Sequence, residues 1–191
     1  MAAIKEMDLV ARVRQRADME DNYFVSDIEV RDYINSGIAE LHDLLIQTYG
    51  QDYYVQIKEF TASNTYDYYR LEGDDGDSDT YDLNITDFYK LRGMDAQISG
   101  NMWTTLMPFN FNERNLNQGG STSDAWGVAN IRYRLVGTNL YFSPKITSTT
   151  QVKIWYIPTA QQFTSTTPAT STTTFDDING YAEYVVLDAA M

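Results

Sequence analysis

The sequence predicts an α+β protein in which helices at both ends form a platform and a large antiparallel β-barrel or β-sandwich is inserted between them. The prediction depends on where hydrophobic periodicity changes. Apolar residues recur at helical spacing up to Gly50 and again from Asp177 to Met191, whereas residues 53–160 alternate as strands do. Because each flank is too short to enclose a core, the two should pack on each other. The predicted domains are a helical platform of residues 1–50 with 177–191, a β insertion of residues 51–160, and a Thr/Ser-rich linker of residues 161–176.

Two helices are predicted before Gly50. Apolar residues at helical spacing around Val13 predict the first, from about Ile4 to Met19, with no strand pairing at this end. Residues 26–29, Ser-Asp-Ile-Glu, match a capping box, in which the serine hydroxyl and the glutamate carboxylate accept from free amides at a helix start. A second helix should follow and end at Gly50. Its predicted buried stripe is Val30, Ile34, Ile38, Leu41 and Leu45.

Short runs rich in Tyr, Thr, Val and Ile follow Gly50 and are separated by turn residues, as in antiparallel sheets. Gly137-Thr138-Asn139 predicts a tight hairpin turn. No helical pattern falls between the strands, so parallel βαβ units are not expected. The predicted strands are residues 53–60, 66–71, 81–83, 88–98, 104–107, 130–136, 139–142 and 151–157.

The last segment, residues 177–191, is apolar on nearly every side. Only Glu183 and Asp188 are charged beyond its start. Such a helix must be covered by its own domain and by a neighbour. The residues predicted at a subunit interface are Tyr181, Tyr184, Val185 and Leu187.

Composition restricts the function classes. Lys and Arg total 14 against 27 Asp and Glu, which gives a formal charge of -13. This balance argues against wrapping nucleic acid, because phosphate contacts need clustered cations. It favours solubility, or a passage through which DNA slides without binding. The chain has no cysteine, no secretory signal pattern and no apolar run of membrane-spanning length.

The sequence lacks the usual catalytic signatures, so we expect no enzyme, no cofactor and no metal. His42 is the single histidine and should be structural. Nucleophile-elbow, P-loop and dinucleotide-binding patterns are absent. The acidic residues 72–79 resemble a calcium loop, but Thr80 stands where glycine is needed and Thr86 where a bidentate glutamate belongs. A solvated hairpin tip is the better interpretation.

A carbohydrate-binding or carbohydrate-hydrolysing β domain is an alternative. A sugar platform needs aromatic side chains on one surface, although tyrosine in strands more often serves packing. The candidate platform residues are Tyr66, Tyr68, Tyr69, Tyr81 and Tyr89.

Three stretches, in this order along the chain, resemble the head-to-tail adaptor proteins of short-tailed bacteriophages. The first is VRDYIN at residues 30–35, within the paired N-terminal helices. The second combines DFYKLRG at residues 87–93 with PFNFNERN at residues 108–115. The third is VKIWYIP at residues 152–158 followed by DINGYAEY at residues 177–184. The resemblance covers most of the chain, and the matching motifs are packing patterns.

The resemblance implies a structural, non-enzymatic virion protein at the head-tail interface, assembled in the host cytoplasm. About twelve copies would form a ring that completes the head and continues the DNA channel. The helices, through the four interface residues named above, would contact the portal protein, and the β insertion would contact the tail nozzle or tail fibres. DNA would pass without specific binding, and no membrane is involved. Another tail or virion component remains an alternative. The residues expected to face the nozzle or fibres are Phe109, Phe111, Arg114 and Trp126.

Overall fold

The computed structural model describes residues 4–20, 24–72, 81–113, 130–146, 149–175 and 180–191. The fold is mixed α+β, with three α-helices and several antiparallel sheets among these residues. The chain divides into two compact units. The helical unit comprises Met1–Tyr53 and Ala160–Met191, and the β unit comprises Tyr54–Thr159.

The helical unit contains α1 (Glu6–Arg16), α2 (Asp27–Tyr49) and α3 (Ala182–Ala189). The predicted capping box starts α2, because the Ser26 amide donates to the Glu29 carboxylate at 2.8 Å and the Glu29 amide donates to the Ser26 hydroxyl at 3.2 Å. Gly50 ends α2 with a φ of 89°, a value that favours glycine. All five residues of the predicted stripe are at most 3% exposed, which confirms it.

Gly37 provides the close contact between α2 and α3. A Cβ at this position would lie 3.4 Å from the Val185 carbonyl oxygen and 3.5 Å from the Val185 Cγ1. At the other end of the contact, the Tyr49 and Tyr181 hydroxyls are 2.9 Å apart. The earlier residue of α2, Gly37, meets the later residue Val185, and the later residue Tyr49 meets the earlier residue Tyr181. The two helices are therefore antiparallel. The core of this unit includes Leu9, Val10, Val13, Ala182, Val185 and Val186.

Two expectations for the helical unit are wrong. Ile4–Lys5 forms a short strand, β1, that pairs with β10 (Thr174–Phe175), so the first helix begins later than predicted and strand pairing does occur at the chain ends. The Thr/Ser-rich segment predicted as a linker is also structured. It carries a short 3-10 helix at Pro168–Thr170, and it buries Phe163, whose backbone exchanges hydrogen bonds of 2.8 and 2.9 Å with the Asn35 side chain.

The described part of the β unit holds two four-stranded sheets. Its strands are β2 (Gln56–Ala62), β3 (Tyr69–Arg70), β4 (Phe88–Ser99), β5 (Met102–Thr105), β6 (Met107–Pro108), β7 (Arg132–Val136), β8 (Asn139–Ser143) and β9 (Thr150–Pro158). One sheet has the order β2-β9-β4-β5 and the other β3-β8-β7-β6. All neighbours are antiparallel except β6 and β7, which form a two-residue parallel pair that the sequence pattern did not predict.

Both sheets contribute to one hydrophobic cluster. Met94, Val152 and Ile154 enter it from the first sheet, and Tyr69 and Leu140 enter it from the second. The predicted hairpin turn is present between β7 and β8, where Val136 pairs with Asn139 across a two-residue loop. Gly137 supplies the positive φ, 61°, that a tight hairpin loop requires.

Candidate functional site

The helical unit exposes large apolar side chains on α2 and α3. Tyr33 is 56% exposed and Leu44 is 44% exposed, and their separation of about three turns places both on one side of α2. On α3, Leu187 is 47% exposed. Together with Tyr184, which bonds to α2, these residues define what we call the helical patch: Tyr33, Leu44, Tyr184 and Leu187.

Hydroxyl contacts join the two helices beside the patch. The Tyr184 hydroxyl donates to the Glu40 carboxylate, and this hydrogen bond raises the pKa of Tyr184, because loss of the proton would leave two negative charges together. The hydrogen bond between Tyr181 and Tyr49 raises the pKa of Tyr181. At neutral pH both phenols are therefore uncharged, and the surface around the patch combines apolar rings with hydrogen-bonding groups. Such amphipathic rings are enriched at protein interfaces.

The four residues predicted at the subunit interface do not share one environment. Val185 is completely buried inside the helical unit, so for this residue the interface prediction is wrong and the residue belongs to the core. Tyr181 and Tyr184 are half-buried, and Leu187 is exposed. Val185 lies on the side of the short helix that contacts Gly37, whereas Leu187 lies on the opposite side.

Two arginines of α1 are paired within the same chain. The Arg14 guanidinium donates to Asp27 at 2.6 Å and to the Val25 carbonyl at 2.8 Å. Arg16 pairs with Glu183 at the start of α3. These pairs join the ends of the helices. Arg12 and Arg16 are exposed, and Arg14 is half-buried. The α1 arginines therefore do not form a concentrated cationic surface.

A groove lies on the outer face of the β7–β8 hairpin in the β unit. The register pairs Arg134 with Tyr141 and Arg132 with Ser143, so these four side chains share the face opposite the core. The segment after β6 contributes aromatic rings, and the groove has a volume of about 310 Å³. Its lining residues are Phe109, Phe111, Arg134, Val136, Tyr141, Phe142 and Ser143.

The polar groups of the groove include strong hydrogen-bond donors. The Arg134 guanidinium lies over the Phe111 ring, 5.0 Å from its centroid. Arg132 is 3.6 Å from Glu113, a long ion pair between partly exposed side chains. Ser143 is 5% exposed, and its hydroxyl has no hydrogen-bond partner in the described structure. The groove therefore combines apolar walls with donors.

Two residues of the predicted tail-facing loop line this groove, Phe109 and Phe111. Arg114 and Trp126, the other two, lie outside the described residues, as do most of the acidic residues 72–79. The sequence analysis missed Arg134, Tyr141 and Ser143, because only the strand register brings them beside the aromatic segment. The alternation of polar and apolar residues from Arg132 to Leu135 was the signal that could have identified this face.

The five tyrosines proposed as a sugar platform do not form one. Tyr69 is buried in the core, where its ring contacts Tyr66 at 5.9 Å between centroids. Tyr66 and Tyr68 both contact Tyr81. Tyr89 lies on β4, in the other sheet. Most of these rings therefore pack against one another, and the observation does not favour the platform.

Other candidate sites receive little support from the described residues. His42 is 7% exposed on the inner side of α2. Across the described ranges, no group of three or more histidine or acidic side chains could hold a metal ion. None of the helices in those ranges combines the length and the apolar character needed to cross a membrane.

No protein-family model matches the sequence. A search of curated proteins likewise found no similar sequence.

Proposed function

We propose that this protein is a head-to-tail adaptor, a structural virion protein that forms a ring of about twelve copies between the portal and the tail of a short-tailed phage. The helical patch is the observation that carries the proposal. The helical unit buries its own core, yet it keeps Tyr33, Leu44 and Leu187 at least 44% exposed on two adjacent helices. Contiguous apolar patches on a folded surface are typical of protein interfaces, and the proposal takes these side chains to belong to one such patch.

A ring of identical subunits explains why one unit would carry such a surface. In a heterologous ring, each copy presents one surface to its neighbour and receives the neighbour on another. The helical patch would contact the portal and the adjacent subunit, and the β unit would contact the nozzle or fibres. The formal charge of -13 per chain fits a DNA channel that repels the phosphate backbone. In this role the protein is not an enzyme and needs no cofactor.

The proposal includes the finer architecture of the β unit. Two four-stranded sheets that share one hydrophobic cluster support a β-sandwich more than a barrel, because no strand of one sheet pairs with a strand of the other within the described residues. A sandwich leaves two outer sheet faces for partners, and the groove occupies one of them. The runner-up function is another tail or virion structural component.

The natural absence of cysteine allows a direct test of the helical patch. A single Leu187→Cys variant is incubated with a maleimide, with and without portal rings isolated from the phage that carries this protein. Modification should slow when the rings are present, because the patch becomes covered. Asn101→Cys, at an exposed turn of the β unit, is the matched control and should react at the same rate in both samples. Equal rates for Leu187→Cys in both samples would contradict the portal assignment.

A further inference from the structure

The groove on the β7–β8 face leaves strong hydrogen-bond donors without acceptors. Arg134 carries five N–H donors. Its guanidinium group lies over the Phe111 ring. No carboxylate among the described residues pairs with it. This is unusual in a chain where acids outnumber bases 27 to 14. The buried hydroxyl of Ser143 lies in the same groove and also lacks a partner. A bound molecule with an acceptor group could satisfy both side chains.

The walls of the groove define the rest of that molecule. They are formed by Phe109, Phe111, Val136 and Tyr141, together with Phe142, whose ring packs against Tyr69 in the core. A volume of about 310 Å³ is at the lower end of the range for binding pockets. Phe111 is 57% exposed and Val136 is 48% exposed, so the rim is open to solvent. Small-molecule sites enclose most of their ligand, whereas an open groove suits one side chain of an extended chain.

We propose that this groove binds a peptide segment of a partner protein in which a large apolar residue stands next to an acidic residue. The apolar side chain packs between Phe109, Phe111 and Val136, and the carboxylate accepts hydrogen bonds from the Arg134 guanidinium. Arg132, on the same face, is already paired with Glu113 at 3.6 Å, so Arg134 supplies the charge that recognises the carboxylate. Charge-assisted hydrogen bonds from arginine to carboxylate are among the stronger polar contacts in proteins.

The inference rests on the proposed function only for the identity of the partner, which in the virion would be a nozzle or fibre protein. The chemistry of the groove is independent of ring formation. Peptide binding to the free chain and coverage of the helical patch by portal rings are therefore separate measurements, and either can fail without the other.

The test uses fluorescence anisotropy with a blocked, fluorescein-labelled octapeptide that has a central phenylalanine flanked by aspartates, and glycine and serine elsewhere. A second peptide has asparagine in place of aspartate, and a third has alanine in place of phenylalanine. The first peptide should bind the full chain saturably. Each replacement should weaken binding about tenfold or more, the factor that corresponds to about 1.4 kcal/mol. No binding of the first peptide at about millimolar protein, or equal binding of the asparagine peptide, would overturn the proposal.

Two variants locate the site. Arg134→Gln should weaken binding of the first peptide about tenfold and should bind the asparagine peptide as the natural chain does. Phe111→Ala, at an exposed position, removes one wall and should weaken all peptides that contain phenylalanine. Arg12→Gln makes the same charge change in the helical unit and should have no effect. If Arg12→Gln weakens binding as much as Arg134→Gln, the effect is one of net charge. Self-association that depends on Arg134, without peptide binding, would mean that the occupant is a second copy. Either result overturns the proposal.

Discussion

Val185 and Leu187 are two residues apart on α3, yet the structure gives them opposite roles. Val185 is completely buried against Gly37 of α2, and Leu187 is 47% exposed. We therefore predict that Val185→Asp unfolds the helical unit, whereas Leu187→Asp leaves it folded and prevents only its assembly. This pair of variants separates a core function of the last helix from an interface function.

The expected magnitudes follow from burial. Replacing Val185 forfeits the burial of an aliphatic side chain, about 1.5–3 kcal/mol. An unpaired carboxylate in the same place costs a further 3–5 kcal/mol or so. Together these losses come to about 4.5–8 kcal/mol, which matches or exceeds the lower part of the range for the free energy of unfolding of a typical domain, about 5–15 kcal/mol. Leu187→Asp replaces an exposed side chain, so its effect on folding should stay within about 0.5 kcal/mol.

Urea unfolding followed by far-ultraviolet circular dichroism distinguishes these outcomes. The Val185→Asp protein should lose helical signal already in the absence of urea, and the Leu187→Asp protein should match the natural chain. Leu187→Asn, which is polar but uncharged, serves as a control for the charge. The reasoning is refuted if Val185→Asp unfolds at the natural midpoint. It is also refuted if Leu187→Asp is as destabilised as Val185→Asp, because Leu187 would then belong to the core.

Three further predictions concern single features. Ser26→Ala removes one side of the capping box and should lower the free energy of unfolding by about 1 kcal/mol in urea titrations. The control Ser36→Ala, on the exposed side of α2, should change the free energy of unfolding little. Burial and the hydrogen bond to Asp87 raise the pKa of Tyr156 to about 12, above its ordinary value of 10.0. The stability that the protonated Tyr156 contributes is therefore complete below pH 10 and is lost as the pH rises toward 12. Tyr156→Phe should accordingly weaken the alkaline loss of stability in titrations over that window, and an unchanged loss would show that Tyr156 is not responsible. Duplex DNA should show no shift in gel electrophoresis at physiological salt, because Arg14 and Arg16 are already paired with Asp27 and Glu183; a salt-sensitive shift would contradict the proposed channel.

Local signals in the sequence predicted the helices and the main strands well. The start of α2 was identified by Ser26 and Glu29 and its end by Gly50, because capping and backbone conformation depend on neighbouring residues. The β7–β8 hairpin was identified for the same reason, since Gly137 and the flanking alternation are local. The mixed α+β class follows from these elements.

Contacts between distant parts of the chain were not predictable. The pairing of β1 with β10 joins residues about 170 positions apart, and composition gives no sign of it. Phe163 lies in a Thr/Ser-rich segment that looks like a linker, and its burial depends on two hydrogen bonds to Asn35. The candidate groove was likewise predictable only in its local part. Its aromatic residues were visible in the sequence, but Arg134 reaches them only through the register of two strands.

The number of copies bound per portal ring tests the central claim most directly. Analytical ultracentrifugation of portal rings titrated with the purified protein gives this stoichiometry from the increase in mass. We predict saturation at about twelve copies per ring for the natural chain and no saturable binding for a Tyr184→Asp, Leu187→Asp double variant that remains folded. Absence of binding by the natural chain, or equal binding by the double variant, would contradict the proposed role of the helical patch in binding the portal.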